Sequence, residues 1–413
     1  GPGSRVLQFF SFSFDGSVLD LAFTLTSGAT LVQVPRSALV PGAELTRLLR
    51  EQAITILHLT PSVLAALPVD ELPALQTIVV GGEVCPAQLV ARWAAGRRFN
   101  NGYGPTECTV LSTFARCEGL DREPPPSIGS PIPGVEVYVL DSALQPVPLG
   151  VPGEIYIGGL GVARGYLNRP ELTAERFIAN PLPEARSPRL YRSGDRARFQ
   201  PDGSIEFLGR IDRQVKLRGF RIELGEIESQ LLGHSEVAEA AVVLRTDAPG
   251  EPRLCAYVVP RQAAALELAA GLAARLTGYL KERLPEYMIP PSFSVLARLP
   301  SSAVGKLERS ALPAPAPAAA ATRPLYEAPA FEIERIIIAV WQAVLCCDGI
   351  GVRDNFFDLG GHSLRLAEVQ SQLQAALRRE VPMMDLLRYP TVRELAVHLS
   401  GSAAAAPAPV RAA

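Results

Sequence analysis

A run rich in proline and alanine, LPAPAPAAAATRPLYEAPA (312–330), divides this sequence into two parts with different patterns. A run of this composition, with few charges, is typical of a semi-rigid linker and lacks the side chains that a packed core needs. Short apolar runs alternate with amphipathic stretches before it, and helical spacing dominates after it. The 413 residues therefore cannot form one continuous domain, and we expect several.

The part before the linker predicts three kinds of structure. TIVVGG (77–82) is typical of a strand that ends in glycines, and 38–52 is typical of a helix. This alternation over 5–120 favours a parallel α/β sheet. Residues 125–208 contain short strands separated by Pro and Gly, which predict a small β-rich barrel or sheet, and 209–312 mix strands with a helix in an α+β layout.

The part after the linker is predicted to be all-α. One apolar face at helical spacing is formed by Ile333, Ile336, Ile337, Val340, Trp341 and Val344. The predicted fold class is therefore multidomain: an α/β core part, a small β-barrel-like subdomain, an α+β C-terminal subdomain and an all-α four-helix domain. The predicted boundaries are 1–4 for a tag remnant (GPGS), 5–208 for the core, 209–312 for the C-terminal subdomain, 313–330 for the linker, 331–400 for the helical domain and 401–413 for a disordered tail.

Charge and cysteine content narrow the function classes. The formal net charge is −2, so electrostatics give no reason to expect nucleic acid or an anionic membrane as partner. No apolar run is long enough to span a bilayer, and the sequence shows no signal peptide. Six cysteines without metal or disulfide spacing, and four scattered histidines, fit a reducing compartment. We therefore expect a cytoplasmic protein without a His/Cys metal site.

The stretch DNFFDLGGHSL (354–364) places Ser363 at the start of a predicted helix. Serine is a favoured N-cap, so capping is one interpretation. Gly360 and Gly361 remove side chains from the approach, and Phe356 and its apolar neighbours anchor the loop. The helix N-terminus offers a positive dipole and free N–H groups, which suit a phosphate ester. Ser363 is therefore a candidate carrier of a prosthetic group joined through a phosphodiester.

A second candidate site lies in NNGYGPTECTV (100–110). Activation by ATP needs a flat surface for adenine, a hydroxyl near phosphate and a carboxylate for Mg²⁺. Tyr103, Thr106 and Glu107 supply these types within five residues. The alternative is an ordinary turn in which Tyr103 is packed and Glu107 is solvated.

Three further stretches contribute charged candidates. In YRSGDRARF, Asp195 follows a glycine, and a carboxylate can accept both hydroxyls of a ribose. In FSFDGSVLD, the apolar surround of Asp15 predicts a buried carboxylate, which needs a partner, either a substrate ammonium group or a structural cation. Lys306 lies in the glycine-flanked SSAVGKLERSAL. Lys216 and Arg218, in GRIDRQVKLRGFRIELGEIE, could form a solvated basic face.

Two known domain types share these motifs. DNFFDLGGHSL resembles the attachment motif of peptidyl or acyl carrier domains of nonribosomal peptide synthetases, which implies that Ser363 carries 4′-phosphopantetheine. The upstream motifs resemble the adenylation domain of the same synthetases, within the adenylate-forming superfamily. The resemblance covers nearly all of 5–400.

The resemblance also implies a role for each matched residue. The nucleotide contacts it implies are Tyr103 on adenine, Thr106 at the phosphate, Glu107 on Mg²⁺, and Asp195 with Arg210 at the ribose. The hinge between two half-reactions is Asp212, and Lys306 stabilises the negative charge that builds up on the α-phosphate. The implied substrate pocket contains Asp15, which binds the amino group, and Gly16, Leu19, His58, Val79, Gly81, Gly102, Val110 and Leu111, closed by Lys306.

The implied activity is the formation of aminoacyl-AMP from an amino acid and Mg·ATP, followed by loading of the amino acid as a thioester on the phosphopantetheine arm. The pocket predicts a large apolar or aromatic side chain, with His58 able to meet a polar tip. The implied partners are a phosphopantetheinyl transferase and neighbouring domains such as condensation or thioesterase domains. The chain departs from the family pattern at Ser193, Arg196 and Val304, where Thr, Leu and Asn are usual.

One family feature is missing from the sequence, namely the Gly/Ser/Thr-rich loop with a lysine that wraps the phosphates. We therefore expect a truncated module without the N-terminal half of its adenylation core, and little pyrophosphate exchange from this chain alone. Two alternatives stay open: a stand-alone acyl-CoA ligase, and a non-catalytic carrier and docking scaffold.

Overall fold

The computed structural model describes residues 1–69, 72–118, 125–182, 186–217, 219–245, 252–262, 269–300, 307–314, 326–357, 359–361 and 363–403. The chain divides into two compact units, Gly1–Arg221 and Ile222–Ala413. The finer domain boundaries that the sequence predicts stay predictions.

The first unit is built on a seven-stranded sheet. Its strands are β1 (Arg5–Leu7), β2 (Thr30–Val32), β3 (Ile56–Leu59), β4 (Thr77–Gly81), β5 (Arg98–Tyr103), β6 (Thr113–Cys117) and β7 (Ser130–Pro131). Their order across the sheet is β2-β1-β3-β4-β5-β6-β7. The first five strands are parallel, and β6 and β7 are antiparallel additions. The parallel α/β sheet predicted from the sequence is present.

Helices connect the parallel strands, as right-handed crossovers require. They are α1 (Gly16–Ser27), α2 (Ala43–Glu51), α3 (Pro61–Ala65) and α4 (Ala87–Trp93). The helix predicted over 38–52 is therefore shorter, with a separate 3₁₀ turn before it. The strands are apolar on both faces, as buried parallel strands are, and Ile78, Val80 and Phe99 are fully buried with Trp93 in one core.

The order of the strands creates a crevice. The chain passes from β1 to β2 on one side of β1, and β3 then pairs with the other side. Ligands of open α/β sheets bind at the carboxyl ends of the strands where the order reverses in this way. Helix α1 begins at this edge, directly after β1.

A second, antiparallel sheet follows in the same unit. It contains β8 (Val135–Leu140), β9 (Gly153–Gly159), β10 (Phe177–Ala179), β11 (Arg189–Phe199) and β12 (Ile205–Arg210), with α5 (Pro170–Arg176) before β10. Strand β9 lies between β8 and β11, and both β10 and β12 pair with β11. A two-stranded ladder comes next, β13 (Gln214–Leu217) and β14 (Phe220–Glu223).

The second unit contains a three-stranded sheet and a set of helices. The sheet strands are β15 (Val237–Arg245), β16 (Arg253–Pro260) and β17 (Ser292–Val295), with α6 (Leu224–Leu232) and α7 (Ala269–Lys281). The helices after the linker are α8 (Glu332–Leu345), α9 (Ser363–Leu377), α10 (Met383–Arg388) and α11 (Val392–Ala403). The predicted α+β and all-α patterns are both present. No helix in the described ranges is long and apolar enough to cross a membrane.

The linker predicted over 313–330 makes specific contacts where it is described. The carbonyl oxygen of Pro313 accepts a hydrogen bond from the Tyr257 hydroxyl at 2.7 Å. At the other end, Glu327 pairs with Arg353 at 2.7 Å and with Arg393 at 2.5 Å. Both ends of the linker are therefore attached to folded elements.

The core of the helical region lies beneath the loop that precedes α9. The Trp341 ring on α8 packs edge-on against Phe356, with centroids 5.0 Å apart, and both are buried. Gly361 closes over Phe356 so tightly that a Cβ on it would lie 2.2 Å from Cδ1 of that ring. Gly360 adopts a positive φ of 90°. The two glycines are therefore required for the loop to wrap Phe356 and deliver the start of α9.

Substitution of Gly361 tests this packing. Gly361→Ala should destabilise the helical region by about 1–3 kcal/mol, because its Cβ would overlap Phe356. Unfolding is followed by Trp341 fluorescence in a Trp93→Phe background, since the chain has two tryptophans. Gly401→Ala in α11, where nothing lies within 4 Å, is the control and should be neutral or stabilising by up to about 1 kcal/mol. Equal midpoints for the two variants would contradict the packing described.

Candidate functional site

The predicted site residues gather where the parallel strands end. Strand β5 ends at Tyr103, and the chain returns through a tight loop to β6. A Cβ on Gly104 would lie 2.4 Å from the carbonyl oxygen of Val110. Thr109 and Val110 both adopt left-handed conformations, with φ of 59° and 70°. The fold-back confines the short 3₁₀ turn Thr106–Cys108 to the carboxyl end of β5.

A buried carboxylate joins β5 to the second sheet. Asp195 on β11 is 2% exposed, and its Oδ2 accepts a hydrogen bond from the Tyr103 hydroxyl at 2.6 Å. Its Oδ1 accepts from Nη1 of Arg210 at 2.8 Å, and Arg210 lies directly opposite Asp195 in the β11–β12 ladder. Burial, and then the charge of Asp195, raise the pKa of Tyr103, so its hydroxyl stays protonated and donates. The residues predicted for adenine and ribose thus form one cluster.

The predicted hinge residue, Asp212, belongs to the same cluster. Nε of Arg210 donates to its Oδ1 at 2.7 Å and Nη2 to its Oδ2 at 2.5 Å, and Arg176 approaches at 3.5 Å. A Cβ on Gly194 would lie 2.5 Å from Oδ2, so only glycine fits there. Burial raises the pKa of Asp212, but the hydrogen bond and charge of Arg210 outweigh it and the pKa is lowered. Arg210 therefore bridges the carboxylates of Asp195 and Asp212.

The predicted Mg²⁺ ligand, Glu107, is engaged by two side chains. Its Oε2 lies 2.7 Å from Nη1 of Arg221, and its Oε1 accepts from the Tyr166 hydroxyl at 2.6 Å. Burial alone would raise the pKa of Glu107, yet the charge of Arg221 and the hydrogen bond from Tyr166 lower it. An ionised carboxylate suits Mg²⁺, but here a guanidinium supplies the positive charge. In the described part of the chain, no group of three or more His, Cys, Asp or Glu residues could hold a metal.

The Tyr103 ring, predicted to stack on adenine, is covered by Lys216 on β13. The Nζ atom lies 5.7 Å from the ring centroid, within the range of a cation–π contact. Burial lowers the pKa of Lys216, and the charge of Asp195 opposes this. Lys216 is therefore half-buried against the site and is not part of a solvated basic face. Arg218 lies outside the described residues.

Asp15 and Thr106 are brought together across a long stretch of sequence. Asp15 occupies the N-cap position of α1, and its Oδ2 accepts a hydrogen bond from the Thr106 hydroxyl at 2.5 Å. Asp15 is half-buried, whereas the sequence predicts a buried carboxylate at this position. The buried carboxylate of α1 is Asp20, which pairs with His58 on β3.

The other predicted pocket residues lie at or near the same edge. His58 is the ladder neighbour of Val79, and Gly81 that of Gly102. The remaining members are on α1 and on the loop after β5: Gly16, Leu19, Val110 and Leu111. A cavity of about 660 Å³ lies at the opposite end of β4 and β5, and none of the predicted residues lines it.

The pocket glycines are packed against neighbouring side chains. A Cβ on Gly102 would lie 2.8 Å from Leu111, and a Cβ on Gly16 would lie 2.8 Å from the Phe10 ring. A Cβ on Gly81 would lie 3.0 Å from the carbonyl oxygen of Gly102. Leu111 and Phe10 therefore occupy the space beside Gly102 and Gly16 in this structure.

Two predicted residues have no described side chain. Lys306 lies outside the described residues, so its role stays a prediction. Ser363 is the first residue of α9, and only its place in the helix is described.

Asp20, Tyr166 and Arg221 were not predicted as site residues. Arg221 lies inside GRIDRQVKLRGFRIELGEIE, but no local pattern shows that Arg221 and Tyr166 both reach Glu107. One sequence pattern does indicate Asp20: with Ser17 and Thr24 it forms a polar stripe at helical spacing.

Comparison with known families gives the class of protein. The sequence model of AMP-binding enzymes matches residues 1–167, and that of their C-terminal domain matches residues 226–306. The model of the phosphopantetheine attachment site matches residues 335–399. The fold and the matches define an adenylate-forming enzyme domain followed by a carrier domain.

Individual relatives narrow this class, and the chain belongs to the nonribosomal peptide synthetase family. It is 51% identical over 398 residues, 96% of the chain, to one polypeptide of the linear gramicidin synthase of Brevibacillus parabrevis. It is 39% identical over 400 residues, also 96% of the chain, to tyrocidine synthase 1 of the same organism. The chain spans only 5% of the first relative's length and 36% of the second's.

Solved structures agree with this assignment. A holo synthetase protein containing adenylation and PCP domains, bound to a vinylsulfonamide inhibitor, matches with a TM-score of 0.77 and 28% identity. The match covers 97% of this chain and 66% of that one. An artificially fused adenylation–PCP di-domain from Klebsiella oxytoca matches with a TM-score of 0.61 and 28% identity, over 96% of this chain and 66% of that one. The resemblance noted from the sequence is confirmed.

The Arg221–Glu107 pair has a testable effect on stability. Arg221→Met should lower the free energy of unfolding of the first unit by about 1–3 kcal/mol at neutral pH, since it leaves a largely buried carboxylate without its cation. The pKa of Glu107 is lowered on folding, so the contribution is complete above the ordinary value of 4.5 and is lost as the pH falls through the lower folded value. The difference between wild type and variant should therefore shrink in acid.

Unfolding of the first unit is followed by Trp93 fluorescence in a Trp341→Phe background. Arg47→Met, which removes an exposed pair with Glu51, is the matched control and should change stability by less than about 0.5 kcal/mol. A pH-independent effect of Arg221→Met would count against the ion pair.

Proposed function

We propose that this chain handles an aminoacyl-AMP at the carboxyl end of β5 and loads the amino acid, as a thioester, onto a phosphopantetheine arm at Ser363. The observation that carries the proposal is the cluster of Tyr103, Asp195 and Arg210. These residues are remote in sequence and of the types that bind adenosine, and they lie in a chain that also has a carrier domain.

The proposed nucleotide contacts follow from this cluster. Asp195 has lone pairs left beyond its two hydrogen bonds, so it can accept ribose hydroxyls while it keeps its contact with Arg210. Adenine would take the place of Lys216 over the Tyr103 ring. The Thr106 hydroxyl is available to a phosphate oxygen if it exchanges its bond to Asp15.

The carboxylate of Glu107 is a suitable ligand for Mg²⁺. Its pKa is lowered, so the carboxylate is ionised at neutral pH, and Mg²⁺ commonly takes one or two carboxylates together with phosphate oxygens. Glu107 would hold the ion once Arg221 no longer pairs with it. Lys306 would stabilise the charge on the α-phosphate, and Asp212 would serve as the hinge between half-reactions.

The carrier domain fits a prosthetic group at Ser363. The glycine loop over Phe356 delivers Ser363 as the first residue of a fifteen-residue helix, where backbone N–H groups favour a phosphate ester. When attached, the arm supplies a thiol that accepts the acyl group. The partners we propose are an amino acid, a phosphopantetheinyl transferase and neighbouring synthetase domains such as condensation or thioesterase domains.

We also propose that β8–β12 form the small barrel-like subdomain. Register shifts interrupt β11 between Arg192 and Arg196, and again between Arg196 and Ala197. Such irregularities bend a strand, and a bent β11 would let the sheet curl around the core that contains Ile155 and Tyr191.

The attachment site is tested by mass spectrometry. Incubation with coenzyme A and a phosphopantetheinyl transferase should add one phosphopantetheine to the wild-type chain and none to Ser363→Ala. Ser371→Ala, an exposed serine on the same helix, is the matched control and should be modified fully. An adduct on Ser363→Ala would contradict the assignment.

The chain that carries phosphopantetheine also distinguishes the proposed synthetase from the two alternatives, an acyl-CoA ligase and a non-catalytic scaffold. The modified chain is mixed with synthetic aminoacyl-AMP, with or without free coenzyme A, and the acyl acceptor is identified. Transfer to the arm favours the synthetase, transfer only to free coenzyme A favours an acyl-CoA ligase, and no transfer above the uncatalysed rate favours a scaffold.

The nucleotide site is tested by AMP binding. Asp195→Asn should weaken AMP binding measured by calorimetry by about tenfold or more, because it removes a charged acceptor for the ribose and disturbs Tyr103 and Arg210. Asp202→Asn, in the exposed turn after β11, is the control and should bind AMP as wild type does. Equal affinities for the two variants would place the nucleotide elsewhere.

A further inference from the structure

Helix α1 turns its polar side toward the sheet. Ser17, Asp20 and Thr24 are buried, whereas Val18 and Leu25 are largely exposed. This is the reverse of the usual pattern, in which a helix buries its apolar stripe. Apolar packing therefore does not explain the side that α1 presents to β3.

The centre of this polar side is a buried carboxylate. Asp20 is fully buried; its Oδ1 lies 2.9 Å from Nδ1 of His58, and its Oδ2 has no hydrogen-bond partner among the described residues. Burial raises the pKa of Asp20, and the hydrogen bond with His58 opposes this. Burying such a group is costly, and an apolar residue would serve packing better.

The location of the pair points to a ligand. Asp20 is on the helix that follows β1, and His58 is on β3, so the pair bridges the crevice where the strand order reverses. His58 is 6% exposed and is the ladder neighbour of Val79. The Phe10 ring lies edge-on to the imidazole, with centroids 4.8 Å apart. His58 Nε2 has no partner in the described part of the chain.

A carboxylate that accepts a hydrogen bond from one ring nitrogen of a histidine determines whether the other ring nitrogen is a donor or an acceptor. With Asp20 accepting from Nδ1–H, the neutral imidazole carries its lone pair on Nε2. An acceptor of this kind discriminates between ligands, because a ligand without a donor leaves it unpaired.

We propose that Asp20 is a positioning residue for substrate selection: it holds His58 with the proton on Nδ1, so that Nε2 accepts a hydrogen bond from the side chain of the bound amino acid. The substrate class is then an α-amino acid whose side chain ends in a hydrogen-bond donor. This inference rests on the proposed function, because it assumes that the aminoacyl group lies at this edge of the sheet.

Aminoacyl-sulfamoyladenosines, which mimic aminoacyl-AMP and need no ATP, test the proposal by calorimetry. Two pairs isolate the donor, tyrosyl against phenylalanyl and threonyl against valyl. In any pair that binds more tightly than AMP, the member with the hydroxyl should bind about tenfold more tightly than its partner. Equal affinities within every pair would overturn the proposal.

Variants separate positioning from structure. Asp20→Asn should reduce the preference for the hydroxyl to about twofold or less and leave AMP binding unchanged. His58→Phe should abolish the preference, and Asp20→Asn should have no further effect in that background. Thr24→Val, on the same buried side of α1, is the control and should keep the preference, because the Thr24 hydroxyl donates to the backbone carbonyl of Asp20 and not to its carboxylate.

The tautomer itself is observable without any variant at Asp20. The chain has four histidines, so ¹⁵N-histidine labelling gives few signals, and His58→Phe assigns the one from His58. We expect the proton of His58 to be on Nδ1. We also expect the ¹⁵N chemical shift of Nε2 to change when the hydroxyl-bearing analogue is added. Protonation on Nε2 would overturn the proposal even if Asp20→Asn does not fold. If the wild-type chain does not bind AMP, that result counts against the proposed function. The tautomer of His58 would still decide the role of Asp20.

Discussion

The buried carboxylate of Asp195 is the contact on which the organisation of the first unit depends. It receives the Tyr103 hydroxyl from the end of the parallel sheet and the Arg210 guanidinium from the antiparallel sheet. A buried carboxylate is tolerated only when it is paired and hydrogen-bonded, so both partners must be in place around Asp195. The same requirement that joins the two sheets also assembles the residues suited to bind adenosine.

Several site residues of this structure already have partners within the chain. Tyr103 lies beneath Lys216, Glu107 pairs with Arg221, and Asp15 accepts from Thr106. A ligand at this edge must exchange those contacts for its own, so its net affinity is the difference between two sets of interactions. That exchange makes binding sensitive to substitutions such as Arg221→Met that do not touch the ligand directly.

Much of the fold and part of the site could be predicted from the sequence. The parallel sheet, the short strands of 125–208 and the helices after the linker follow from periodicity and from the spacing of Pro and Gly. Tyr103 was found because it lies in a long motif, and Asp195 because the stretch around it resembles a motif of the family. The pairing of Asp20 with His58, and of Glu107 with Arg221, joins residues far apart in the chain, and no local pattern encodes such contacts. Asp15 was predicted to be buried because its neighbours are apolar, but at the N-cap position of α1 it stays half-buried.

The attachments at Pro313 and Glu327 shorten the linker predicted from the sequence. Composition suggested eighteen residues, 313–330, but Tyr257 holds one end and Arg353 and Arg393 hold the other. Only 314–326, thirteen residues, then separate the two anchor points. Pro313 and Glu327 are fourteen Cα-to-Cα steps apart, so at no more than about 3.6 Å per step their greatest separation is ~50 Å. Loosening either anchor by mutation would lengthen the free connection before the carrier domain without inserting a single amino acid.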